Sequence, residues 1–227
     1  MNQNSLRESF MNSMEKKVIW YYLDEPQNEG YKKDLVRRFD LTKAGQEKLK
    51  RKTQKGLRQY VLKALKYKHN NLVSWQSKDM VEKKLSDPAA DRRGLDQLLR
   101  PLLSREGDPE ALWEGLCTWF GFARFDVMAF LFFLRDPERY MPLMSRDMDR
   151  GLDRLGMPHD NLQKHVTWAR YQHYLEELRK VQDLLNRRYR DILSQPITLM
   201  DAHSFVWLAN EPRFAPKAPV PEAPAER

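Results

Sequence analysis

Apolar residues recur at intervals of three and four along most of the chain, and strict apolar–polar alternation is scarce, so the pattern predicts helices rather than strands. The densest apolar stretch lies within residues 113–156. From 125 to 134 only Asp126 is charged, with Arg124 and Arg135 on either side. About ten apolar residues fall well short of the ~20 that cross a bilayer, so this run is expected to be a core helix. Asp136-Pro137 and Tyr140-Met141-Pro142 then break the pattern. Met148, Leu152 and Leu155 resume it, and Gly156 is placed to close a second helix. The expected arrangement is helix, elbow, helix.

The other segments are read in the same way. Phe10, Met14, Val18 and Tyr21 predict an amphipathic helix over 6–22, ended by the turn-forming run 25–30. Leu49, Thr53, Leu57, Tyr60 or Val61, and Ala64 or Leu65 describe one helix with an apolar stripe and a basic back. Leu72-Val73-Ser74-Trp75 fits either an extended piece or a helix start. Leu95, Leu98, Leu99 and Leu102 make a short helix with Pro101 straining its end. Asp108 is an expected N-cap with Pro109 as the first helical residue. The longest helix is expected to begin at Met157-Pro158-His159-Asp160 and run to about 193, burying Leu162, Val166, Ala169, Leu175, Leu178, Val181, Leu185 and Ile192. A last short helix is expected over 199–208. Five prolines from Glu211 onward, mixed with alanine and charge, predict a disordered tail over 211–227. The expected fold is all-α, with a basic N-terminal helical subdomain over 1–87, a helical core domain over 88–210, and the tail.

Charge changes this picture more than composition does. The 227 residues carry a formal charge of +8 and 41% hydrophobic residues, enough for a substantial core. Within 31–69 fourteen Lys and Arg face three acids, a local +11, so the rest of the chain is net negative. A polyanion-binding surface is the expected use of such a concentration, because clustered cations release counterions on meeting phosphates. The candidate nucleic-acid-binding residues are Lys32, Lys33, Arg37, Arg38, Lys48, Lys50, Arg51, Lys52, Lys55, Arg58, Lys63, Lys66 and Lys68, together with Arg124 beside the apolar run. A solvated helix face is the competing explanation.

Catalytic chemistry finds little support. The lone Cys117 sits among apolar neighbours and reads as structural. The five histidines are scattered, with no metal-binding pair, so neither a metal nor a cofactor is expected. His203 reads as a packed or capping residue. No signal peptide or membrane span is visible, which makes the cytoplasm the expected location and a membrane an unexpected partner.

One segment resembles a known family. Gly121-Phe122-Ala123-Arg124-Phe125, the apolar run, Asp136 and Pro142-Leu143-Met144 resemble the helix-hairpin-helix segment of base-excision DNA glycosylases of the 8-oxoguanine type. The likeness covers residues 117–156 and includes Arg154-Leu155-Gly156. It implies a glycosylase-like core in which Gly121 and Ala123 take the two hairpin glycines and Phe125 the nucleophilic lysine. Pro142 falls on the family's proline and Met144 on its catalytic aspartate. Phenylalanine and methionine supply neither an amine nor a carboxylate, so the implied scaffold lacks base-excision catalysis. A second resemblance, through Asp136-Pro137-Glu138-Arg139-Tyr140 and Asp201-Ala202-His203-Ser204-Phe205-Val206-Trp207, is to modules of bacterial restriction and phage-defence proteins. The combined expectation is a non-catalytic protein that binds nucleic acid, duplex DNA in particular, through basic helices. A helical protein–protein interaction subunit of a larger complex is the alternative, with other subunits of a defence complex as candidate partners. A divergent glycosylase using Asp126, Asp147 or Asp149 is the third.

Overall fold

The computed structural model describes residues 30–68, 70–157, 165–189 and 196–210. These form ten helices and, among the described residues, no strand: α1 (Gly30–Arg38), α2 (Lys43–Lys50), α3 (Gln54–Leu65), α4 (Trp75–Ser86), α5 (Arg92–Leu103), α6 (Pro109–Phe120), α7 (Phe125–Arg135), α8 (Ser145–Arg154), α9 (Trp168–Tyr189) and α10 (Leu199–Asn210). The helix expected over 6–22, the tail over 211–227, Leu162 and Ile192 lie outside the described residues.

Short polar side chains set most helix starts by accepting from the otherwise orphaned N–H groups of the first turn. Thr42 accepts from Gly45, Thr53 from Gly56, Ser74 from Ser77, Asp91 from Gly94 and Asp108 from Ala111, all at 2.9–3.2 Å. Two of these caps bear on the sequence reading. Thr53 has the spacing of an apolar-stripe residue but serves as the cap of α3, so the single helix expected from Leu49 to Leu65 is two helices with a turn at 51–53. Ser74 resolves the ambiguous segment as a helix start, with Leu72 and Val73 buried ahead of it. The longest helix starts at Trp168 instead of near 157, since 165–167 are not helical and Thr167 accepts from Arg170 at 3.3 Å. Val166 therefore precedes it, and Ala169 is exposed.

Every residue of α7 is buried, including Asp126 and Arg135. Around it packs one hydrophobic core whose members run from Leu35 to Ala209, so side chains on both sides of residue 87 share it. Trp113 of α6 stacks on Tyr171 of α9 with ring centroids 5.0 Å apart, and Phe132 and Trp168 close the cluster. The elbow between α7 and α8 exposes carbonyls that no helix satisfies. Tyr171 and Tyr174 hydroxyls donate to Met141 and Pro142 carbonyls at 2.8 and 3.0 Å, which fixes it. Gly151 lets α8 approach α10, because a Cβ there would lie 2.2 Å from the Val206 carbonyl oxygen. Gly156 takes a positive φ of 61° just after α8, as its expected role as a stop requires.

The N-terminal helices are fastened to this core by polar side chains. Gln46 of α2 donates to the Leu134 carbonyl at 3.0 Å and to that of Arg135. Arg105 donates to Gln46, to the Arg135 and Leu41 carbonyls at 3.0 and 3.1 Å, and pairs with Asp136 at 3.1 Å. Arg100 closes the end of α2 by donating to Lys50 and Lys52 carbonyls at 2.8 and 3.1 Å. The turn at 51–53 is thereby held in one position on the body.

Candidate nucleic-acid interface

The end of α1, the helix α2 and one face of α3 enclose a groove. Its two parts, about 950 and 380 Å³, share Arg38, Phe39, Gln59 and Lys63 and are therefore continuous. Gly56, Gln59, Tyr60, Lys63, Lys66 and Tyr67 supply the α3 side at intervals of one, three or four residues, which is one helical face continued just past the helix end. Phe39 contacts Tyr60 and Tyr67 edge-on at 5.7 and 6.3 Å, and the Tyr60 hydroxyl donates to the Phe39 carbonyl at 3.0 Å. Burial, with Asp40 nearby, pushes the Tyr60 phenol well above its ordinary range, so it stays a neutral donor. The Arg38 guanidinium lies 5.7 Å from the Tyr67 ring centroid.

Six of the expected cations line this groove: Arg38, Lys48, Lys52, Lys63, Lys66 and Lys68. Lys48 pairs with Asp40 at 3.0 Å, and Asp40 is held below its usual carboxylate range by Thr42 and Lys48. Lys66 pairs with Glu82. Among the described residues, Arg38, Lys52, Lys63 and Lys68 have no acidic partner.

The remaining expected cations are placed elsewhere. Lys32 is a correction: its side chain is fully buried, with Nζ 2.7 Å from His203 Nδ1 and 3.0 Å from Ser204 Oγ, so it cannot meet a phosphate. The neutral His203 ring satisfies this geometry with its proton on Nε2, donated to the Pro142 carbonyl at 3.1 Å. Burial, then Lys32, hold that imidazole well below its ordinary pKa. Lys33 reaches Asp201 at 3.5 Å, and Arg37 pairs with Asp34 at 2.5 Å. Lys50 sits between Glu47 and Glu106, each at 2.9 Å, and Glu106 first, then Glu47, raise its pKa. Arg58 is partly buried and donates to the Leu85 carbonyl at 3.4 Å. Arg51 and Lys55 are exposed but do not line the groove.

Arg124 lines a separate cavity of about 280 Å³ with Phe125, Asp126, Met144 and Asp147. The two positions that the glycosylase resemblance assigns to chemistry are thus together, and both are apolar. The Asp126 carboxylate accepts from the Ser74 and Val127 N–H groups at 3.1 Å each and from Arg124 at 3.4 Å. It fastens α4 to α7. Asp147 accepts from Asn210 at 3.1 Å, and Asp149 is buried in α8. Burial, with Glu114 next in effect, pushes the Cys117 thiol up to about 11, so it is protonated at neutral pH. Among the described residues no cluster of three or more metal-binding side chains forms, and no helix is long and apolar enough to cross a membrane.

Sequence reasoning missed Phe39, Gln59 and Tyr67 as groove residues and counted Tyr60 only as stripe. Their signal was the interleaving of aromatics with cations across 38–68. No family model, curated protein or solved structure matches the chain.

Proposed function

We propose that this is a non-catalytic nucleic-acid-binding protein that grips the phosphate backbone in the groove between α1, α2 and α3. The observation that carries the reading is the gathering of six cations from 31 residues of chain around one concavity, four of them without an acidic partner among the described residues. Solvated lysines on a helix face have no reason to converge across three helices on a cleft with an aromatic floor. The engagement of Asp126 and the apolar Phe125 and Met144 support a scaffold role for the glycosylase-like segment. A restriction or phage-defence setting enters this proposal through the second resemblance alone.

Binding of a labelled oligonucleotide, measured by fluorescence anisotropy across a salt series, tests the reading. Four to six contacts to a single strand give a slope of log K against log salt of about −3 to −4, or a loss of roughly 60- to 300-fold between 50 and 200 mM. Absent binding, or binding indifferent to salt, contradicts it. An acidic protein seated in the same groove is the competing outcome, recognised by capture of polyglutamate without capture of oligonucleotide.

A further inference from the structure

We infer that the groove takes a single strand of nucleic acid, about five nucleotides long, in place of the duplex expected from a basic helix surface. This rests on the nucleic-acid reading above and adds the class of ligand. Three observations carry it.

The first is the form of the cleft. Its base is closed where the segment after α1 meets α3: the Tyr60 hydroxyl donates to the Phe39 carbonyl at 3.0 Å, and their rings stand 5.7 Å apart. A groove of about 950 and 380 Å³ cannot take in a duplex, whose major groove alone is about 12 Å wide, but has room for a lone backbone.

The second is where the charges lie. Arg38 stands on the α1 side, Lys52 at the turn before α3, and Lys63 and Lys68 along the α3 side. Cations that meet a duplex from outside spread over an outer face, whereas these line one groove. The floor from Gly56 to Tyr67 spans about 16 Å at the helical rise. A strand at the stacked spacing of about 3.4 Å per nucleotide covers it with about five nucleotides.

The third is the floor itself. Phe39 and Tyr67 are only half-buried, and the Arg38 guanidinium lies over the Tyr67 ring, 5.7 Å from its centroid, adding its own plane to the floor. Aromatic and guanidinium planes next to a phosphate track are of no use to paired, stacked bases. They give unpaired bases a surface to lie on.

The test compares the full chain bound to a labelled twelve-residue oligothymidylate, the matching oligouridylate, and a blunt twelve-base-pair duplex at 100 mM salt. A single strand should bind at least about tenfold tighter than the duplex, and the thymidylate and uridylate arms separate DNA from RNA. Tyr67→Leu should weaken single-strand binding about tenfold with the salt slope unchanged, whereas Tyr67→Phe, which keeps the ring, should bind as the wild type does. Equal or tighter duplex binding overturns the single-strand inference and leaves the groove reading standing. Failure of every oligonucleotide overturns both, and so does binding that Lys63→Glu leaves unchanged.

Discussion

Two groups of cations in this molecule have the same chemistry and opposite surroundings. At the end of α7, Arg135 donates to the carbonyls of Glu106, Pro101 and Gly107 at 2.8, 3.2 and 3.3 Å, and Arg105 beside it is saturated by Gln46, Asp136 and two more carbonyls. In the groove, Lys52, Lys63 and Lys68 meet solvent without an acidic partner among the described residues. In the first group Arg105 holds the N-terminal helices onto the body, and Arg135 ties the end of α7 to the end of α5 and the loop after it. The second is left available to an outside anion. The lesson is that partner count, more than charge density, separates cations used in the fold from cations left exposed, and it is open to direct attack from both sides.

The largest effect should come from the structural side. Arg105→Ala strips Asp136 of its partner and leaves Gln46 and two carbonyls short of a donor, with a loss of about 3 kcal/mol. Urea unfolding checks this through a lower midpoint at unchanged slope; a loss under 1 kcal/mol would mean Arg105 is no latch. The groove side should respond the other way. The triple variant Lys52→Ala, Lys63→Ala, Lys68→Ala should leave stability within about 0.5 kcal/mol, while affinity for oligonucleotide falls about 100-fold near 0.1 M salt. A triple variant that unfolds more readily would place these lysines with Arg105.

The third test uses Lys32, the expected phosphate contact that is fully buried. His203 beside Lys32 is neutral when folded, its pKa held far below the ordinary 6.5. Below pH 6.5 the unfolded chain therefore binds a proton that the folded chain refuses. This contribution to stability is full above about pH 6.5 and falls as pH drops, by about 1.4 kcal/mol per unit. His203→Asn should remove that part of the acid slope in unfolding titrations between pH 6.5 and 5, and an unaltered slope would reject the assignment. The smallest effect belongs to the exposed cations outside the groove. Arg51→Ala with Lys55→Ala should change oligonucleotide affinity by less than about threefold, because a surface charge beyond the contact contributes only through screened attraction.

Much of the scaffold could be read from the chain because its signals are local. The apolar run gave α7, Asp108-Pro109 gave the start of α6, Gly156 the stop after α8, and α10 ends two residues beyond its expected limit. The break at 51–53 was hidden because threonine suits both an apolar stripe and an N-cap; its bond from the Gly56 N–H shows the cap role, and the Arg100 contacts to Lys50 and Lys52 carbonyls hold the turn. The site was legible in composition and not in arrangement. Lys32 lies in the same basic run as Lys63, yet its partners His203 and Ser204 stand 171 and 172 positions away. Glu82 and Glu106, which pair with Lys66 and Lys50, are likewise distant in sequence. No helical period carries that information.

The most direct test is the salt dependence of single-strand binding in the wild type and in the Lys52, Lys63, Lys68 triple alanine variant, side by side. The groove account expects a wild-type slope of about −3 to −4, and a slope smaller in magnitude by about 2 in the variant. Equal slopes in the two proteins would contradict it.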